Sequence, residues 1–191
     1  MDNTINNKSL TTFYGGKHGI WQVISMESII GKPLDIVEKI SIESIEGSTN
    51  ANEHLWKLKG ISSNMRYTNR EEKNALDQTP SVLGKPEYKY ATLIPIKKSE
   101  QWWLLTQDER RNIFEEQSKH IHFSLKYLTE ISRKLYHSRD IGEEYDFLTW
   151  FEFKPESKNL FDELVSYLRE TEEWKYITRE TDIRLERSSE V

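Results

Sequence analysis

The sequence contains no cysteine in its 191 residues. This absence excludes disulfide bonds, thiolate-bound metals, iron–sulfur clusters and covalent haem attachment through a C-x-x-C-H motif. Any transition metal must therefore be held by histidine or carboxylate ligands. The chain offers five histidines for that purpose: His18, His54, His120, His122 and His137.

Long apolar runs and a basic charge excess are also absent. No apolar stretch reaches the length of about 18 residues that spans a membrane, and the polar start MDNTINNKSL lacks the apolar run of a secretory signal. We therefore expect a cytoplasmic protein that does not engage a membrane. The net charge is −5 and no cluster of Lys or Arg occurs, so nucleic acid is not expected as a partner.

The sequence does contain ample material for a core. Hydrophobic residues make up 36% of the chain and aromatic residues 12%, beside 31% charged residues. A chain of this length and composition forms one large domain or two small units around a shared core. We expect two halves, residues 1–85 and 86–191, within one compact structural unit.

The second half predicts an alternation of strands and helices. Apolar alternation or near-continuous apolar character predicts strands at 88–96, 131–137, 147–153 and 174–185. A capping box of Thr106 and Glu109 precedes a predicted helix at about 107–127, and a second amphipathic pattern runs from about 160 to 171. This βαββαβ order predicts an α+β fold of the ferredoxin-like type, with both helices on one face of an antiparallel sheet.

The first half has a weaker pattern. It offers strand candidates at 19–26 and 54–61, with loops at Gly15-Gly16 and at 47–52. Since the other face of the predicted sheet must be covered, we expect the first half to be a degenerate copy of the same ferredoxin-like unit. The pair would then form a dimeric α+β barrel type of architecture.

His120 is a candidate metal ligand. His120 and His122 lie two positions apart on the predicted helix, roughly 200° apart around its axis, so they cannot readily bind one metal ion together. His120 lies at the edge of the apolar stripe and can point into the interior, while His122 points away. Taken alone, a hydrogen-bonded interior histidine is the more common role for such a residue.

Arg133 is a candidate anion-binding residue. It shares a strand face with Ile131 and Leu135, where an apolar side chain is expected, and a buried charge without a partner is costly. Its side chain either pairs with a carboxylate at the edge of the core, extends its charged end to solvent, or binds an anion held in a pocket. Thr149 and Phe151, on the inward face of the neighbouring strand, would line that pocket.

Three more residues could support a bound cofactor. Glu173 is exposed in the ordinary case, but it would fix the tautomer of a metal-bound His120 if it accepted a hydrogen bond from the ring. Lys98 and Trp102 follow the first predicted strand of the second half, and an ammonium group and an indole N–H are suitable donors to the carboxylates of a cofactor. Their ordinary roles are a solvated lysine and a core tryptophan.

From about residue 88 to residue 185 the sequence resembles the chlorite dismutase family, and particularly its short-chain branch. The resemblance is carried by the blocks LIPIKKSEQWWLL, RRNIFEEQSKHI, YLTEISRKLYHSRDIGEEYDFLTWFEF and TEEWKYITRETDIRL. It implies a pair of ferredoxin-like units with a non-covalently bound haem b, and an assembly of two identical chains.

The resemblance implies a role for seven residues. His120 matches the proximal ligand of the haem iron, and Arg133 matches the distal arginine of chlorite-degrading members. Glu173 matches the carboxylate that hydrogen-bonds the proximal histidine. The other four match cofactor contacts: Thr149 and Phe151 in the distal pocket, and Lys98 and Trp102 on the side of the haem propionates.

The activity that the resemblance implies is the decomposition of chlorite to chloride and dioxygen. Ferric haem takes an oxygen atom from chlorite, and Arg133 holds the transient hypochlorite until the O–O bond forms. Three alternatives stay open. They are a peroxidase-like or coproporphyrin-handling relative, a cofactor-free α+β barrel monooxygenase, and a haem-binding sensor or carrier without turnover.

Overall fold

Eight antiparallel strands close into a barrel in the computed structural model, which describes residues 10–44, 54–62, 69–77 and 83–188. The strands are β1 (Leu10–Gly16), β2 (Trp21–Ile30), β3 (Lys39–Glu43), β4 (His54–Ser62), β5 (Tyr90–Lys98), β6 (Ile131–His137), β7 (Phe147–Phe153) and β8 (Ile177–Arg187). Around the barrel they follow the order β1-β3-β2-β8-β5-β7-β6-β4. Closure leaves no sheet edge without a partner strand.

Helices accompany mainly the second half of the chain. They are α1 (Arg70–Asp77), α2 (Glu100–Leu104), α3 (Gln107–Arg111), α4 (His120–Leu125) and α5 (Lys158–Arg169), with a π-helical segment at Asn112–Gln117 and short 3₁₀ turns at Arg139–Ile141, Pro155–Ser157 and Glu172–Tyr176. Within the described residues, no helix has the length and apolar character that crossing a membrane requires.

The core consists of two apolar clusters, one on each side of the sheet. The barrel interior receives side chains from both halves of the chain, including Phe13 and Ile40 from the first half and Leu93 and Ile183 from the second, all of them fully buried. The second cluster packs α5 against the outer face of β5 and β7. Each fully buried side chain of this kind contributes about 1.5–3 kcal/mol to stability.

Strand alternation decides which residues reach each cluster. On β7, Leu148 and Trp150 point into the barrel, whereas Phe151 and Phe153 point outwards to α5, where the ring of Phe161 lies against both. The expected alternation of this strand is thereby confirmed. The outward face is the one that builds the candidate site.

Most elements predicted for the second half are confirmed within a few residues, as are the strands near 19–26 and 54–61. The single helix predicted at 107–127 is wrong. It is interrupted by the π-helical segment and by Lys119, whose φ of 52° is left-handed. The last strand begins at Ile177 and not at 174, because a 3₁₀ turn with Thr171 as its N-cap precedes it.

The first half differs more from expectation. Gly15 and Gly16 belong to β1 and not to a loop, and the ring of Trp56 occupies the space that a side chain on Gly15 would need. Strand β3 and helix α1 have no counterpart in the sequence prediction. The loop predicted at 47–52 lies outside the described residues.

Candidate functional site

A largely apolar cavity lies between the outer face of the second-half strands and helices α4 and α5. It encloses about 1270 Å³, counting the part that is open to solvent. Six of the seven residues singled out in the sequence line it: Lys98, His120, Arg133, Thr149, Phe151 and Glu173.

His120 is the first residue of α4, and its ring is fixed from two sides. Nδ1 lies 2.7 Å from Oε2 of Glu173, and the ring of Phe114 stacks on the imidazole with 4.3 Å between centroids. Because a carboxylate only accepts hydrogen bonds, Nδ1 carries a proton, and in the neutral ring Nε2 carries the lone pair. No described residue hydrogen-bonds Nε2, which is thus available to a ligand in the cavity. His122 is exposed, as predicted.

Glu173 is buried and binds three groups. Oε1 accepts a hydrogen bond from Nζ of Lys98 at 2.6 Å, Oε2 is the partner of His120, and the backbone N–H of Glu173 donates to Oγ of Ser118 at 3.0 Å. Burial alone would raise the pKa of Glu173, but Lys98 and His120 outweigh it and lower the pKa to about 2. Glu173 is therefore a carboxylate at neutral pH.

Lys98 and Trp102 form the layer behind this carboxylate. Burial lowers the pKa of Lys98 from its usual value, and the attraction of Glu173 opposes that shift. Nζ of Lys98 lies 3.3 Å from the ring centroid of Trp102, which is fully buried and does not line the cavity. The structure therefore engages Lys98 with Glu173 and places Trp102 beneath it. Their predicted contact with cofactor carboxylates stays a prediction.

Arg133 brings a positive charge into the cavity from the strand side. On β6 it is paired in register with Phe151, and its neighbour Leu135 is paired with Thr149. Its guanidinium group makes no hydrogen bond or ion pair with any residue that the structure describes. Burial lowers the pKa of Arg133 and the charge of Glu173 opposes this shift, but a guanidinium group stays protonated in proteins. A guanidinium group that lacks a direct hydrogen-bond partner in a largely apolar cavity is a site for an anion.

Sequence reasoning missed several residues of the site. Ser124 and His137 also line the cavity. Their spacing gave a usable signal, because Ser124 lies one helical turn after His120 and His137 shares the strand face of Arg133. Phe114, in the π-helical segment, and Ser118, which directly follows it, support His120 and Glu173, and helical periodicity does not predict a π-helical turn.

The side chains that could ligate a metal limit what the cavity can bind. Within the described ranges no group of three or more His, Asp or Glu side chains is arranged to bind a metal ion. A metal bound by His120 would thus need its other ligands from a cofactor. His120 would fit as the residue that holds the iron of a macrocyclic cofactor in this cavity.

Comparison with known proteins gives consistent matches. A family model described as chlorite dismutase matches residues 41–187. Among curated proteins, the chlorite dismutase of Ideonella dechloratans is 30% identical over 124 residues, which cover 64% of this chain and 41% of that protein. The match therefore spans less than half the length of this relative.

Solved structures extend the likeness over nearly the whole chain. The dimeric chlorite dismutase of Nitrobacter winogradskyi is 49% identical with a TM-score of 0.86, and the match covers 93% of this chain and 99% of that one. A mutant chlorite dismutase of Candidatus Nitrospira defluvii, in complex with cyanide, is 20% identical with a TM-score of 0.71. This match covers 95% of this chain and 91% of that one. The second likeness concerns the fold alone.

Proposed function

Because the chain belongs to the chlorite dismutase family, we propose that it is an enzyme that decomposes chlorite to chloride and dioxygen in the cavity between sheet and helices. The observation that carries the proposal is the guanidinium group of Arg133, which enters the same apolar cavity as Nε2 of His120 and makes no hydrogen bond or ion pair with a described residue. Conversion of one chlorite ion to one chloride ion and one dioxygen molecule conserves atoms and charge, so no external electron donor is needed.

The cofactor of the proposal is haem b, bound non-covalently through His120. The chain has no cysteine for covalent attachment, and His120 presents one lone pair to a cavity with mainly apolar walls. When bound, haem supplies an iron centre that can take up an oxygen atom and release it again. Thr149, Phe151, Lys98 and Trp102 are proposed as further residues around the cofactor, with Trp102 acting through Lys98.

Arg133 is the proposed catalytic residue. Its permanent charge attracts chlorite into the apolar cavity, and its planar fork can donate two parallel hydrogen bonds to an oxyanion. The same donors would retain the transient hypochlorite in the cavity until its oxygen forms an O–O bond with the oxygen atom already transferred and its Cl–O bond breaks to release chloride. Escape of this oxidant would stop the reaction and damage the protein.

Glu173 and Lys98 position the histidine. The carboxylate of Glu173 holds the proton on Nδ1 of His120 and thereby keeps Nε2 directed to the cavity. Lys98 neutralises the buried carboxylate, whose charge would otherwise be costly. Second-layer contacts of this type typically change metal affinity or activity by about 10-fold to 100-fold.

The proposal includes the architecture around the site. Strands β1 to β4 neighbour one another in the order β4-β1-β3-β2, and strands β5 to β8 repeat it as β8-β5-β7-β6. This repeat supports two ferredoxin-like halves, 1–85 and 86–191, and the described link between β1 and β2 in the first half contains no helix. A cytoplasmic homodimer is proposed as its working form, with support from the dimeric relative.

The test combines haem binding with oxygen release. Haem is added to the wild-type protein and to Arg133→Ala, His120→Ala and Arg70→Ala, the last being an exposed arginine of α1 that controls for loss of charge. The Soret spectrum and dioxygen release after chlorite addition are then recorded. We expect Arg133→Ala to lose about 100-fold or more in turnover, as on removal of one oxyanion-stabilising donor. His120→Ala should lose the spectrum of the histidine complex as well.

The outcomes separate the alternatives. A haem spectrum without dioxygen would replace this proposal by a peroxidase-like, coproporphyrin-handling or carrier function. A wild-type protein that binds no haem would leave a cofactor-free monooxygenase of the same fold. Equal turnover in Arg133→Ala and Arg70→Ala would show that Arg133 is not catalytic.

A further inference from the structure

The start of α4 is capped by a buried carboxylate that belongs to the preceding turn. Glu115 is only 6% exposed. Its Oε2 accepts a hydrogen bond from the N–H of Ile121 at 2.6 Å, and its Oε1 accepts one from the N–H of His122 at 3.1 Å. These two N–H groups lie in the first helical turn, where no partner exists within the helix.

The residue in the N-cap position cannot perform this task. Lys119 precedes His120, and its side chain has donors but no acceptor. A serine, threonine or aspartate would normally accept the first-turn N–H groups from that position. Glu115 replaces it from four residues further back, and the backbone N–H of Lys119 donates to the carbonyl of Glu115 at 2.9 Å.

The reach of Glu115 depends on an unusual backbone. It lies in the π-helical segment Asn112–Gln117, and the chain then passes through the left-handed conformation of Lys119 before α4 begins. π-Helical turns are rare and are frequently found at functional sites. A strained residue persists only where its surroundings hold it in place. Here the surroundings include the two hydrogen bonds of the Glu115 carboxylate.

Phe114 in this segment and Ser118, which directly follows it, contact the two partners of the His120–Glu173 hydrogen bond. Phe114 stacks on the imidazole, and Ser118 accepts a hydrogen bond from the backbone of Glu173. Glu115 acts on the backbone of the two residues that directly follow His120. The direction of the His120 ring is thus set by contacts from residues 114, 115 and 118.

We propose that Glu115 is a positioning residue for the cofactor ligand. Its carboxylate fixes the first turn of α4 so that Nδ1 of His120 meets Glu173 and Nε2 faces the cavity. Where it concerns haem, this inference rests on the proposed function. A cap that served only stability would strengthen the fold without any specific effect on His120.

A double-mutant cycle separates the two roles. Haem dissociation constants are measured by Soret titration for the wild-type protein, Glu115→Gln, His120→Ala and the double variant. Gln keeps the size of Glu but has a single acceptor oxygen, so one first-turn N–H loses its partner. We expect Glu115→Gln to weaken haem binding about 10-fold to 100-fold, the range of second-layer effects. In the His120→Ala background it should cause no further loss.

Glu116→Gln is the matched control, because Glu116 neighbours Glu115 in the same segment but is exposed. It should leave haem affinity unchanged. Equal weakening by Glu115→Gln in both His120 backgrounds would overturn the positioning role, and so would unchanged affinity in Glu115→Gln. If Glu115→Gln does not fold, the cycle is repeated in a Lys119→Gly background, where glycine relieves the left-handed strain. Failure to fold there too would assign Glu115 to the fold alone.

A readout on the haem-free protein keeps this inference apart from the proposed function. Nitrogen-15 NMR of the His120 ring should show one tautomer, with the proton on Nδ1, in the wild-type protein and in Glu116→Gln. A mixture of tautomers is expected in Glu115→Gln. If the wild-type protein binds no haem, the proposed function fails, and this spectrum alone decides whether Glu115 orients His120. An unchanged tautomer in Glu115→Gln would then refute it.

Discussion

The charge and the planar shape of the Arg133 side chain make separable contributions to the proposed turnover of chlorite. Lysine keeps the charge but presents a point donor, whereas glutamine keeps some hydrogen bonding without the charge. We expect the wild-type protein to turn over chlorite fastest, Arg133→Lys more slowly and Arg133→Gln slowest. The lysine variant should mainly retain hypochlorite less well. Dioxygen yield per chlorite, and trapping of released hypochlorite by a chlorination reporter, would measure this. A lysine variant with full dioxygen yield would contradict a need for the planar fork.

The carboxylate of Glu173 gives a prediction about acid stability. Its pKa is lowered from 4.5 to about 2 in the folded protein. The unfolded chain therefore takes up a proton as the pH falls through about 4.5 while the folded protein does not, so stability is lost towards low pH. In that window the loss is about 1.4 kcal/mol per pH unit for this group. Urea unfolding midpoints between pH 6 and pH 3 would record it.

Glu173→Gln should lack this part of the acid dependence, although it leaves Lys98 buried without its ion partner and lowers stability at neutral pH. Glu172→Gln is the matched control, because Glu172 is the exposed neighbour in the same turn. It should follow the wild-type acid profile. If the free energy of unfolding fell equally with pH in the wild-type protein and in Glu173→Gln, Glu173 would not be the cause of the acid destabilisation.

At the residue scale, the structure brings His120 and Glu173 together as the resemblance implied, and it gives Lys98 a contact with Glu173 that sequence reasoning did not predict. The resemblance assigned Lys98 to the propionate side, whereas the structure joins it to Glu173, 75 positions away. Such a pairing depends on how β5 and the turn before β8 meet, which local patterns do not encode. The resemblance could name residues that are distant in sequence but line one cavity, because the family motifs reflect a shared tertiary structure.

At the element scale, Lys119 is a non-glycine residue in a left-handed backbone conformation that favours glycine. An L-residue in the left-handed conformation costs roughly 1–2 kcal/mol, and glycine avoids most of this cost. Lys119→Gly should therefore be more stable than Lys119→Ala, which removes the same side chain but keeps Cβ. The expected gap in melting temperature is roughly 2–4 °C per kcal/mol for a chain of this size. An alanine variant as stable as the glycine variant would contradict the strain.

The same region shows why helical periodicity over-predicted one long helix. Ile113, Phe114 and Ile121 recur at spacings that fit a continuous helix, yet the chain inserts a π-helical turn and restarts at His120. Apolar spacing does not distinguish the two, because both place these residues towards the core. Gly15 shows the converse error, since a glycine pair suggests a loop but here allows close approach of Trp56 within β1.

At the scale of the whole molecule, the barrel makes the two halves depend on each other. Strand β8 pairs with β2, β6 pairs with β4, and the interior cluster draws on both halves. The second half was predictable because its strands and helices have clear periods and capping signals. The first half was not, since its strands carry a weak periodic signal and some of their partner strands lie far away in sequence.

Mutual dependence predicts a single cooperative unfolding transition. Phe13 is fully buried in the barrel interior and belongs to the first half, so Phe13→Ala should cost about 3–5 kcal/mol and lower the melting temperature by roughly 10 °C. Leu104→Ala, at an apolar residue that is 84% exposed, should change stability by less than about 0.5 kcal/mol. Hydrogen exchange followed by mass spectrometry should show faster global opening in β5 and β7 peptides of Phe13→Ala, although these strands belong to the other half. If only first-half peptides open faster, the halves fold as separate domains and the shared interior does not bind them into one unit.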